Sequence, residues 1–220
     1  MNTTMPAVSW KSVADLLHDL GDIPTERVRM DPVPGRATFD ELVAANETRT
    51  GQVCEWVDGT LVEKAMGWFE SFIAMNLSGY FFRYLETHPI GLLLGADAVL
   101  RILPKVGRAG DVMFLSLAKF PNGVLPIHEK IPALVPDLVV EVLSESNTKA
   151  EMRRKRDEYF RAGVLIVWEI DPDTRTANVY TAPESFTTID ENGTLDGSTV
   201  MPGFQVPLRQ LFVIPGSPTP

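Results

Sequence analysis

Pro136-Asp137-Leu138-Val139-Val140-Glu141-Val142-Leu143-Ser144 is the stretch on which the reading of this chain turns. Its Val and Leu content predicts a strand buried on both faces. Side chains alternate along a strand, so Asp137, Val139 and Glu141 share one face. A carboxylate in such surroundings is costly unless it has a partner. Asp137 and Glu141 would stand roughly 13 Å apart, too far to hold one ion together. Each therefore needs a partner from elsewhere. Either Asp137 caps the start of the strand and Glu141 pairs with an arginine, or both acids serve a site; the spacing leaves both readings open.

Downstream, Ser146 and Asn147 offer N-caps, and the Thr148 to Glu151 spacing fits a capping box. A helix is expected over residues 149–162, with Gly163 at its C-terminal stop. An apolar strand follows over 165–170, then a turn at Asp171-Pro172-Asp173 and a strand over 177–181. Upstream, residues 111–117 and 92–103 read as strands, while 120–132 is an irregular connection. A long helix is expected over 67–86, where Phe69, Phe72, Ile73, Tyr80 and Tyr84 form an apolar stripe. Asp58-Gly59 marks a hairpin between strands at 54–57 and 60–62. Before residue 50 two short helices are expected, over 13–20 behind Ser12 and over 38–46 behind Thr38.

Residues 1–50 thus form a helical, turn-rich extension, 51–212 one domain, and 213–220 a Pro-rich tail. The element order predicts an α+β fold, a mixed sheet flanked by helices rather than a repeating βαβ.

Further candidates surround Glu141. Asp111 opens the preceding apolar strand; alone it is an ordinary strand-start acid, but beside Glu141 it becomes a possible partner. Two carboxylates about 4 Å apart repel by roughly 4 kcal/mol at an effective dielectric near 20, and a divalent cation would turn that repulsion into a ligand set. Lys155 shares a helix face with Met152 and Tyr159. It is either a snorkelling stem with a wet ammonium, the reading periodicity favours, or a charge delivered into the acid cluster. Glu70 is either a first-turn acid complementing the helix dipole or a metal ligand. Glu55 and Glu63 read as solvated strand residues.

At 220 residues the chain buries roughly 70% of its unfolded surface and needs no disulfide. The single Cys54 and the absence of zinc spacing suit a reducing, cytoplasmic setting. Residues 1–8 have neither the basic nor the apolar region of a secretory signal, and no apolar run spans a membrane. A net charge of −9 counts against tight, unaided DNA binding. The basic run Arg153-Arg154-Lys155-Arg156 with Arg161 is balanced by Glu151, Asp157 and Glu158.

An ordered series of short motifs resembles the Uma family of restriction-endonuclease-like proteins, common in bacterial genomes. The series runs from Val57-Asp58-Gly59-Thr60-Leu61-Val62-Glu63 through Gly110-Asp111-Val112 to the 136–144 stretch. It continues with Lys155 and Tyr159, Ala162-Gly163-Val164, Val167-Trp168, Ile170-Asp171-Pro172 and Pro202-Gly203-Phe204. The likeness covers roughly residues 50–212 and is similar in turn to the PD-(D/E)XK phosphodiesterase superfamily. It implies a restriction-endonuclease-like core binding Mg²⁺ or Mn²⁺, with Asp111 and Glu141 as metal ligands, Asp137 as an auxiliary acid and Glu70 as a possible helix-borne ligand. It further implies metal-dependent endonuclease action on DNA, and a homodimer. Two positions depart from the pattern. Leu143 stands where the superfamily places its lysine, a place Lys155 could fill from the helix, and Gly110 replaces the usual proline. Two alternatives follow: a nuclease-fold binding or regulatory module without turnover, or a hydrolase of a small phosphoester.

Overall fold

A computed structural model describes residues 10–48, 52–65, 67–120, 122–214 and 216. Two short helices open it, α1 (Val13–Asp19) and α2 (Phe39–Thr48). Ser12 caps α1 by accepting from the Asp15 amide at 3.1 Å. Thr38 and Glu41 close a reciprocal capping box on α2 at 3.3 and 2.6 Å. The hairpin of β1 (Cys54–Val57) and β2 (Thr60–Glu63) follows. It turns through Asp58 at φ 48° and Gly59 at φ 81°, the left-handed pair that tight hairpins require.

The long helix is α3 (Trp68–Thr87). The strand expected over 92–103 is two strands in different sheets, β3 (Gly91–Gly95) and β4 (Leu100–Leu103), separated by a turn at Gly95–Ala98. The presumed loop after it holds a strand, β5 (Val106–Arg108). Then come β6 (Val112–Ser116), β7 (Leu138–Val142), α4 (Lys149–Ala162) and β8 (Ile166–Asp171). The remaining strands are β9 (Thr176–Ala182), β10 (Ser185–Ile189), β11 (Thr194–Asp196) and β12 (Gln205–Pro207). Thr148 caps α4, and Gly163 ends it in a left-handed conformation.

The main sheet has the order β10-β9-β8-β7-β6-β3, and β7 and β8 are its parallel pair, joined through α4. A second sheet runs β2-β1-β5-β4. Alternation along the central strands sorts the core. Phe114, Leu138, Val140, Val142, Trp168 and Ile170 pack on Ile73, Leu77 and Phe81 of α3. Met113, Leu115, Val139 and Val167 face the other way, onto Tyr159 of α4 and onto Leu100 and Ile102 of β4. Glu141 therefore lies on the α4 side, between the sheets. Among the described residues no helix is long and apolar enough to cross a membrane.

The N-terminal extension is docked. Leu16, Leu20, Ile23 and Val28 pack on Val57 and Val62 of the hairpin. Arg27 makes a two-pronged ion pair with Glu151 of α4, at 2.7 and 3.0 Å, and donates to the Glu63 carbonyl at 2.8 Å. Thr148 and Arg154 add hydrogen bonds to the carbonyls of Gly21 and Asp19.

Candidate active site

β6 and β7 run antiparallel with Val112 opposite Val140, so Asp111, one residue before β6, falls opposite Glu141. Two ladder positions hold it there: the Asp111 amide donates to the Val140 carbonyl at 2.8 Å, and Asp111 Oδ2 accepts from the Val142 amide at 2.6 Å. Asp111 Oδ1 meets Lys64 Nζ at 2.8 Å. Lys64 follows β2 directly, and its amide donates to the Val53 carbonyl at 2.8 Å, prolonging the hairpin ladder.

Glu141 is buried, and both its oxygens are taken by α4. Lys155 Nζ lies 3.2 Å from Oε2, and the Tyr159 hydroxyl donates to Oε1 at 2.6 Å. Lys155 and Tyr159 are four residues apart and so sit on one helix face. Lys155 is also 3.7 Å from Glu55, a fully buried residue of β1. Arg108 of β5 joins Glu55 at 2.7 Å and Glu158 at 2.6 Å, and Glu55 also accepts from the Ala109 amide at 3.1 Å. A continuous chain of charge thus runs from the hairpin through α4 to the central strand. Breaking such a pair by removing one partner generally costs about 3–5 kcal/mol, because a charge is left buried and unpaired.

Burial raises the pKa of Glu141, and neighbouring Asp111 and Glu55 push the same way against the two lysines. Burial also opposes ionisation of Glu55, but Lys155, Arg108 and Lys64 outweigh it and bring that carboxyl down to about 2. Burial works against a charged Lys155 as well, yet Glu141 and Glu55 hold its pKa above the ordinary lysine value. The Tyr159 phenol is pushed well up by burial and by Glu141, so it remains a hydrogen-bond donor.

In front of Asp111 lies a cavity of about 80 Å³, lined among others by Glu70, Ser71, Ala96, Val142 and Ser144. A water needs about 10–15 Å³ of such space, so several waters or a hydrated ion fit. Among the described residues no cluster of three or more His, Cys, Asp or Glu side chains is arranged to hold a metal. Mg²⁺ asks for less, one or two carboxylates with several waters retained. Asp111 presents a hard carboxylate oxygen at the cavity wall; Glu141 offers the same donor chemistry from behind the wall, where Lys155 and Tyr159 engage both its oxygens.

The structure brings Asp111, Glu141 and Lys155 together and places Glu70 beside Asp111 on the cavity wall. It does not bring Asp137 there. Asp137 sits at the far end of β7, where it accepts from the Ser116 amide at 2.7 Å and pairs with Lys119 at 3.1 Å. The assignment of Asp137 to the acid cluster is therefore corrected: it secures the start of the strand. Lys155 is a buried ion-pair partner, not a snorkelling stem. Glu55, expected to be solvated, is fully buried at the centre of the charge chain. Lys64 and Arg108 escaped the sequence reading because neither lies near the 136–144 motif, and Glu158 reads there only as a counter-charge to the basic run. Arg108 sits on a strand that Pro and Gly disguised as a loop. At the departures from the superfamily pattern, Leu143 continues the ladder, its amide donating to the Ile170 carbonyl at 2.8 Å. At Gly110 a Cβ would come within 2.8 Å of Val139 Cγ1, so the close approach of β7 calls for glycine.

No curated protein matches the chain. A crystal structure of a nuclease described as "putative", from Anabaena variabilis, superposes with a TM-score of 0.64 at 17% identity. The alignment covers 76% of this chain and 94% of that one, and it supports the restriction-endonuclease-like fold. Residues 37–209, which hold every residue of the candidate site, match the Uma2 family model, described as "Putative restriction endonuclease". The chain belongs to the Uma2 family.

Proposed function

We propose that this protein is a metal-dependent phosphodiesterase, an endonuclease acting on DNA, with Mg²⁺ or Mn²⁺ held by Asp111 and Glu141. The observation that carries the proposal is the pair itself: two carboxylates opposite each other on adjacent strands, each met by a lysine, with a hydratable cavity before Asp111. When bound, the cation lowers the pKa of a coordinated water and screens the phosphoryl charge. The chain supplies orientation. The Val142 amide fixes Asp111, and Tyr159 and Lys155 fix Glu141 and hold its charge inside the protein. Through Glu141, Lys155 sets the geometry in which a water attacks phosphorus in line and displaces the 3′ oxygen. Glu70, on the cavity wall, would help hold the hydrated ion there.

A second reading, hydrolysis of a small phosphoester, is favoured by one observation. Arg153, Arg154, Lys155 and Arg156 of the basic run are engaged in ion pairs: Arg153 with Glu184, Arg154 with Asp58 and Glu158, Lys155 with Glu141, and Arg156 with Glu169. They leave little for a DNA backbone in a chain of net charge −9. Assays on supercoiled plasmid and on bis-p-nitrophenyl phosphate, each with Mg²⁺, Mn²⁺ or EDTA, separate the readings. Metal-dependent nicking of the plasmid is expected. Turnover of the small diester alone transfers the proposal to the second reading. If neither is turned over, the chain is a binding module.

The proposal extends to a cytoplasmic homodimer. Trp68, Met75 and Phe82, 80%, 66% and 55% exposed, recur every seven residues along α3 and form an apolar stripe suited to a second copy. Elution as a monomer at micromolar concentration would argue against it.

A further inference from the structure

Of the two lysines in the site, only Lys155 has a place in the proposed mechanism. Lys64 is 2% exposed, as buried as Lys155, and comes from the opposite side, off the end of the hairpin. Its ammonium meets Asp111 Oδ1 at 2.8 Å and the Ala96 carbonyl at 3.5 Å, and both those residues line the cavity. Lys155 touches Glu141 and Glu55, neither of which lines it. Lys64 is therefore tied directly to two residues of the cavity wall, whereas Lys155 is not. The other oxygen of Asp111 accepts from the Val142 amide, so an incoming ion would have to share Oδ1 with Lys64.

We propose that Lys64 is a resident counter-cation of Asp111, competing with a divalent ion for the same carboxylate oxygen and setting how weakly that ion binds. This inference rests on the metal-binding reading above. Without an ion the cluster is close to electrically balanced: Glu55, Asp111 and Glu141 face Lys64, Lys155 and a share of Arg108. A dication added beside an ammonium in a buried setting meets direct repulsion, which a few ångströms of low-dielectric interior do little to screen. Loading therefore requires the Lys64 ammonium to leave Asp111, and the four-carbon stem allows that movement. In exchange, the metal-free protein is spared an uncompensated carboxylate at the cavity wall.

Isothermal titration of Mn²⁺ into wild type, Lys64→Met and Lys64→Arg tests this without any substrate. Lys64→Met, which keeps the stem and removes the charge, is expected to bind Mn²⁺ at least tenfold more tightly than wild type. Lys64→Arg, which keeps the charge, should stay within about threefold of wild type. Equal or weaker binding by a folded Lys64→Met protein overturns the inference while leaving the metal site standing. Heat-silent titrations of wild type and Lys64→Met alike overturn the metal reading itself, and the inference with it. Should Lys64→Met fail to fold, side-chain ammonium NMR of the wild type decides. The protected Lys64 signal is expected to collapse on saturation with Mg²⁺, and its persistence would refute displacement.

Discussion

Glu55 shows how a single residue's surroundings override its sequence context. In a short hairpin strand it reads as a wet surface acid, yet three cations converge on it and hold its carboxyl near pKa 2. Because that value lies below the ordinary carboxylate value of 4.5, the native state gains stability from ionised Glu55 above pH 4.5 and loses it as the pH falls toward 2. Glu55→Gln is expected to destabilise the protein by about 3–5 kcal/mol at pH 7, since Arg108 and Lys155 lose a buried partner. The gap between wild type and variant should shrink as the pH falls from 4.5 toward 2, as measured by urea unfolding across that range. Glu141 has the opposite sign. Its raised pKa means the folded protein takes up a proton before the unfolded chain does, so that residue's burial cost is relieved on acidification. Tyr159→Phe removes the donor to Glu141 Oε1 and should cost about 1.5–3 kcal/mol, the usual worth of a hydrogen bond to a charged group, in the same unfolding assay.

The elements legible in the sequence were those with strong local signals. β7 declared itself through Val and Leu, α4 through its capping box and terminal glycine, and the hairpin through Asp58-Gly59; each appears within a residue or so of expectation. The divided strand at 91–103 did not, because an apolar run does not record which sheet each half joins. Pairing partners are long-range facts, and so β5 was hidden as well. The docking of the N-terminal extension was equally unreadable, since Arg27 and Glu151 are 124 residues apart. That contact is nonetheless testable. Arg27→Ala leaves Glu151 buried with Asn147 as its remaining side-chain partner, at 3.1 Å, and should cost about 3–5 kcal/mol. Hydrogen exchange should speed up chiefly across α1 and the residues leading to β1; unchanged protection there would show that the apolar contacts of Leu16, Leu20 and Ile23 hold the segment alone.

For the whole molecule, the fold does one chief thing for chemistry: it brings an antiparallel strand pair, a crossover helix and a hairpin end to one point. Asp111, Glu141 and Lys155 could be nominated from their own motifs and from the family likeness. Their counterparts Lys64, Arg108 and Glu158 could not, since only the packing of the second sheet against α4 brings them in. A net charge of −9 works against affinity for a DNA backbone. The most direct test is nicking of supercoiled plasmid by wild type, Glu141→Ala and Lys155→Ala, with Mg²⁺ or Mn²⁺ and with EDTA. Nicking by wild type that disappears in both folded variants and in EDTA is the predicted result. Intact plasmid after incubation with folded, metal-loaded wild type, or nicking that survives in Glu141→Ala, would contradict a catalytic centre built on Asp111 and Glu141.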